Sequence, residues 1–135
     1  MTEMKRGLNY QPGADVEGLR RELEKERWLV FELPEGITDK RAFFQAVKDT
    51  LPLNPPLDSD HRWDALSDSL WEGLGESDHD RIAIIWPGST TMAKGRWWWP
   101  GPREIARELL AAVADDLAGL EADVDEPKTL MVVLT

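Results

Sequence analysis

A chain of 135 residues suffices for one domain with a substantial core and leaves no room for a second of ordinary size. Its net charge of −10 argues against nucleic acid as a ligand, and the absence of cysteine excludes disulfides, thiolate metal sites and a cysteine nucleophile. The start, Met-Thr-Glu-Met-Lys-Arg-Gly, lacks an apolar leader, and no run approaches about 18 apolar residues, so the expectation is a soluble cytoplasmic protein with no membrane partner.

Residues 1–13, with Gly7, Asn9, Pro12 and Gly13, read as irregular. Val16, Leu19 and Leu23 then recur at helical spacing, which predicts a helix over 15–27 with Asp15 as its N-cap. The run 28–33, Trp-Leu-Val-Phe-Glu-Leu, is closed by Pro34 and Gly36 and predicts a strand buried on both faces. Thr38 is the expected cap of a helix that reaches Leu51 and turns Phe43, Phe44, Val47 and Leu51 inward; Pro52, Pro55 and Pro56 end it in an extended loop. A helix over 60–74 follows, with Gly73 and Gly75 marking its end. Arg-Ile-Ala-Ile-Ile-Trp at 81–86 predicts a second strand, stopped by Pro87 and Gly88. Residues 88–101 read as a loop carrying Trp97, Trp98 and Trp99. Pro102 suits the first turn of a helix through Ile105, Leu109, Val113 and Leu117 to about Leu120, and 130–134 forms a third strand. The sum is an α/β fold: a small three-stranded parallel sheet with helices packed around it. Residues 1–27 read as an N-terminal extension with a helix, packed on a domain formed by 28–135.

The helix at 60–74 carries the functional signal. Trp63, Leu66, Leu70 and Leu74 recur at spacings of three and four and make one apolar stripe, with Trp63 expected in the core. Asp64, Asp68 and Glu72 recur every four residues along its flank, with Asp60 one turn ahead and Arg62 the one cation nearby. Residues 58–80 hold eight acids against that single base and so carry −7 of the net −10. Like charges four apart cost roughly 0.2–0.5 kcal/mol per pair, so the stripe is locally unfavourable and suits a cationic partner. Asp64 and Asp68 are the primary candidates for partner contact. Asp60, Glu72 and Glu76 read as steering charges, and Trp71, between the stripe and the acids, reads as core edge or interface anchor. Trp97, Trp98 and Trp99 cannot all point one way, so at least one is expected to be exposed.

Other chemistries find little support. His61 and His79 lack a third ligand at metal spacing, Asp58 and Asp60 lack the glycine and closing glutamate of a calcium loop, and no phosphate loop or nucleophile elbow occurs. Paired carboxylates on one exposed helical face lack the enclosing pocket that would split their pKa values for catalysis. No catalytic residue, metal or cofactor is therefore expected.

Trp63-Asp64-Ala65-Leu66, with Asp68 and Leu70 behind it and Pro56 eight residues ahead of Asp64, resembles the signature of the barstar family, intracellular inhibitors of secreted bacterial ribonucleases. The order strand, helix, loop, acidic helix, strand, helix, strand over residues 28–135 is similar to that family's. The resemblance implies an inhibitor that is monomeric when free. Its acidic helix and preceding loop would occlude the basic cleft of an extracellular-type ribonuclease or of another cationic protein, and Asp64 and Asp68 would stand in for RNA phosphates. Asp58, Asp60 and Arg62 stand where members commonly carry Tyr, Gly and Asn, and Ser67 replaces an aromatic between the two aspartates. Residues 87–103 are also longer than in the shortest members. The alternative is a non-inhibitory interaction module of the same fold that docks a basic partner other than a nuclease.

Overall fold

The computed structural model describes residues 4–57, 61–96, 99–120 and 126–135. Along the chain run β1 (Gly7–Tyr10), α1 (Val16–Lys25), β2 (Leu29–Glu32), α2 (Lys40–Thr50), α3 (Trp63–Gly75), β3 (Arg81–Trp86), α4 (Pro102–Leu117) and β4 (Thr129–Leu134). The most continuously apolar strands, β3 and β4, take the centre of a parallel sheet ordered β1-β4-β3-β2. That placement follows from composition: a strand without polar alternation needs cover on both faces.

Strand alternation divides the core in two. Ile82, Ile84 and Trp86 of β3, with Leu130, Val132 and Leu134 of β4, face a large cluster built from α2, α3 and α4. Ala83, Ile85, Met131 and Val133 face the other way, onto Leu23, Val16 and Leu19 of α1. The connection through α1 thus crosses one face, and the later connections cross the opposite face.

Four strands, rather than three, form the sheet. Residues 7–10 are a strand paired with β4, Gly7 opposite Met131 and Tyr10 opposite Leu134, where an irregular segment was expected. Asn9, 8% exposed, would be costly in a strand if its amide were unsatisfied. Its Oδ1 accepts from the Lys5 amide at 2.8 Å, and its Nδ2 donates to the carbonyls of Lys5 and Gly7 at 2.6 and 3.0 Å. Gly7 adopts φ +85°, open to glycine and strained for other residues.

β2 also differs from expectation. It is an edge strand whose four residues are all half-buried, because only β3 pairs with it. Asp39 caps α2, its carboxylate accepting from the Ala42 amide at 2.8 Å, while the Thr38 carbonyl accepts from Ala93. Asp15 is the N-cap residue of α1 but makes no side-chain capping bond. No described helix is long and apolar enough to cross a membrane.

Gly75 is the last residue of α3, whereas Gly73 lies inside the helix and is buried there for a steric reason. A β-carbon at Gly73 would stand 2.1 Å from the Pro52 carbonyl oxygen and 2.5 Å from its carbon. The missing side chain lets the loop after α2 lie on α3, where the Asn54 amide donates to the Ser69 carbonyl at 3.0 Å. Gly73→Ala should cost about 1–3 kcal/mol through overpacking, read as a lower urea midpoint with an unchanged m-value. An unchanged midpoint would show that the loop yields freely.

Candidate functional site: the acidic flank of α3

α3 is oriented by what it buries. Leu66, Leu70 and Leu74 are each fully buried, and burying a leucine contributes about 1.5–3 kcal/mol. Repulsion among the flanking acids amounts to a few tenths of a kcal/mol per pair, so burial decides the rotation of the helix. The carboxylates of Asp64, Asp68 and Glu72 are consequently exposed.

Both ends of the helix are held. At the start, Trp63 packs edge-on to Phe44 with ring centroids 5.0 Å apart and lies 6.0 Å from Phe43, which in turn meets Trp86 at 5.2 Å. His61 adds a T-shaped contact with Phe44 at 5.3 Å, and the Lys40 ammonium sits 5.3 Å from the Trp63 ring. Trp63 is half-buried, packed against the rim of the core rather than inside it. Just past the other end, buried Lys128 donates from Nζ to the carbonyls of Ser77 at 2.7 Å and His79 at 3.2 Å. Sequence reading missed Lys128, since a lysine ahead of a strand carries no pattern that marks it as internal. Glu76, read as a steering charge, is exposed and in addition accepts from Asn54 Nδ2, which ties the 52–54 loop to the helix.

The acids are not equivalent. Arg62 Nη2 donates to Asp64 Oδ2 at 2.7 Å, and this bond holds the Asp64 carboxyl below the usual carboxylate range. The pair is largely exposed, a class of ion pair that contributes little to stability and is readily exchanged for another cation. No ion pair or side-chain hydrogen bond engages Asp68 or Glu72 among the described residues. Trp71 stands exposed beside them, at 37%. Asp64, Asp68, Trp71, Glu72 and Arg62 therefore share one accessible flank. Asp60, expected to extend it, and Asp58 lie outside the described residues, as do Trp97 and Trp98; Trp99 is exposed at 72%.

The arrangement presents fixed negative charge and one aromatic edge. Among the described residues, no three His, Asp or Glu side chains are grouped to hold a metal ion. A shallow depression along α1, bordered by Ala14, Gly18, Leu19 and Glu22, shares no residue with the flank. No family model, curated protein or solved structure matches the chain.

The sign of the Asp64 shift fixes its pH dependence. A depressed folded-state pKa means that the pair's contribution is present above the ordinary aspartate pKa and is lost as pH falls through the folded value. In Arg62→Ala the Asp64 carboxyl should titrate higher, back toward the ordinary range, as followed by carboxyl-carbon NMR. An unmoved titration would show that Arg62 is not the cause.

Proposed function

We propose that the protein is a barstar-like cytoplasmic inhibitor that occludes the basic active site of a ribonuclease with α3 and the loop before it. The observation that carries this reading is the pair Asp68 and Glu72. Both are presented on a helix oriented by its leucines, pair with no cation among the described residues, and stand beside exposed Trp71. Arginines and lysines lining a nuclease cleft repel one another, so a preorganised row of carboxylates relieves unfavourable charge on both partners. Such complementarity speeds association and sets specificity, and a helix-borne row loses little conformational freedom on docking. The signature Trp63-Asp64-Ala65-Leu66 with Asp68 and Leu70 supports the same reading.

Arg62 favours a second reading. It holds a positive charge 2.7 Å from the first aspartate of the signature, on the side that would meet a cationic cleft. A basic partner other than a nuclease, with an acidic group placed to receive Arg62, fits that detail and makes the protein an interaction module without inhibitory activity.

Cleavage of a fluorogenic RNA by basic microbial ribonucleases, measured with and without the protein, separates the two readings. Inhibition should be stoichiometric, with an association rate that falls as salt rises. Asp64→Ala and Asp68→Ala should each cost about 1.5–3 kcal/mol of binding, roughly 10- to 150-fold in Kd. Inhibition that survives both substitutions would overturn the acidic-helix mechanism. Binding to a basic protein without loss of its nuclease activity would select the interaction module.

A further inference from the structure

The acidic segment has a counterpart of opposite sign. Residues 87–107 hold Lys94, Arg96, Arg103 and Arg107 against Glu104 alone, in a chain of net charge −10. Arg103 and Arg107 stand four apart on α4, where like charges repel unless something answers them. Both reach the short helical turn Ser89–Thr91 that follows β3. Arg103 donates from Nε to the Met92 carbonyl at 3.0 Å and from Nη2 to the Thr90 carbonyl. Arg107 donates from Nη2 to Ser89 Oγ at 3.4 Å, and its guanidinium lies 5.0 Å over the Tyr10 ring.

Arg6, Arg20, Arg21 and Arg62 each pair with a carboxylate, whereas neither Arg103 nor Arg107 does so among the described residues. Arg107 is half-buried, and its Nε is shielded from solvent without an acceptor. A guanidinium has five N–H donors, and among the described residues this one spends a single donor, at long range. Ser89 is itself fixed, its amide and hydroxyl directed at the Thr135 carbonyl oxygen at 3.0 and 3.5 Å. It therefore acts as a positioning residue for Arg107.

Location adds a second line of argument. All four strands are parallel, so their C-terminal ends share one edge of the sheet. At that edge the chain leaves β1 toward the α1 face and leaves β3 toward the α4 face, with β4 between them. The end of β4 is bonded on both sides there, Gln11 N–H donating to the Leu134 carbonyl at 2.8 Å and Ser89 N–H to the Thr135 carbonyl at 3.0 Å, and the carboxyl ends of the strands are where open α/β sheets place their ligands. Tyr10 closes β1, Ser89 follows β3 and Arg107 enters from α4, so three elements converge there.

We propose that this edge of the sheet binds a phosphate group, gripped by the Arg107 fork above the Tyr10 ring, with Arg103, one turn earlier on α4, adding positive potential. A doubly charged tetrahedral anion answers two guanidiniums more fully than a carboxylate does, and a planar fork engages two of its oxygens at once. The site shares no residue with the acidic flank of α3, so it stands or falls separately from the inhibitor reading.

Tyr10 is the only tyrosine in the chain, so fluorotyrosine labelling places one reporter directly under the Arg107 guanidinium. Titration of the full chain with inorganic phosphate at constant ionic strength should shift its fluorine-NMR resonance saturably. Arg107→Ala should weaken binding at least about tenfold. Arg107→Lys, which keeps the charge without the fork, should weaken it less and guards against a folding defect in the alanine variant. Absence of a saturable shift, or equal affinity in wild type and both variants, would overturn the site. Acetate binding as tightly as phosphate would overturn the assignment to a dianion.

Discussion

Burial of Leu66, Leu70 and Leu74 is the interaction on which the exposed acidic flank depends. Three fully buried leucines contribute several kcal/mol in total, against a few tenths for each repulsive carboxylate pair on the same helix. The core therefore sets the rotation of α3, and the acids are carried to the surface whatever their mutual cost. Fixing the start through Trp63 on Phe43 and Phe44, and the turn beyond the end through Lys128, leaves the charged row little freedom.

The charge distribution is consequently two-sided. Residues 58–80 concentrate the negative charge on and around α3, and residues 87–107 concentrate positive charge where α4 meets the C-terminal edge of the sheet. The acids on α3 repel one another along the helix, whereas on α4 Glu104 and Glu108 alternate with Arg103 and Arg107.

The parts legible in the sequence were those set by local periodicity. The central strands show as unbroken apolar runs, and α3 and α4 as stripes at helical spacing; each fell within a few residues of its observed bounds. β1 escaped because its residues, Gly7, Leu8, Asn9 and Tyr10, alternate weakly, and its buried asparagine is satisfied by a turn with Lys5 that no periodicity announces. Asp39 outcompeted Thr38 as a cap because the carboxylate stands one residue closer to the start of α2. On the acidic flank, Asp64, Asp68 and Glu72 were readable from spacing, whereas the bond of Glu76 to Asn54 spans 22 residues and exists only in the tertiary structure. The convergence of Tyr10, Ser89 and Arg107 was invisible for the same reason: three separate elements build it.

The central claim is that the acids of α3 are held against their own interest for the sake of a partner. Urea unfolding of the double variant Asp68→Asn/Glu72→Gln tests it most directly. These changes relieve repulsion along the row from Asp64 to Glu76 and remove a negative charge near the C-terminal end of the helix, where the dipole disfavours it. The account predicts equal or higher stability, by a few tenths up to about 1 kcal/mol, with the gain shrinking as salt rises. A loss of about 1 kcal/mol or more would contradict it, since the carboxylates would then be serving the fold itself.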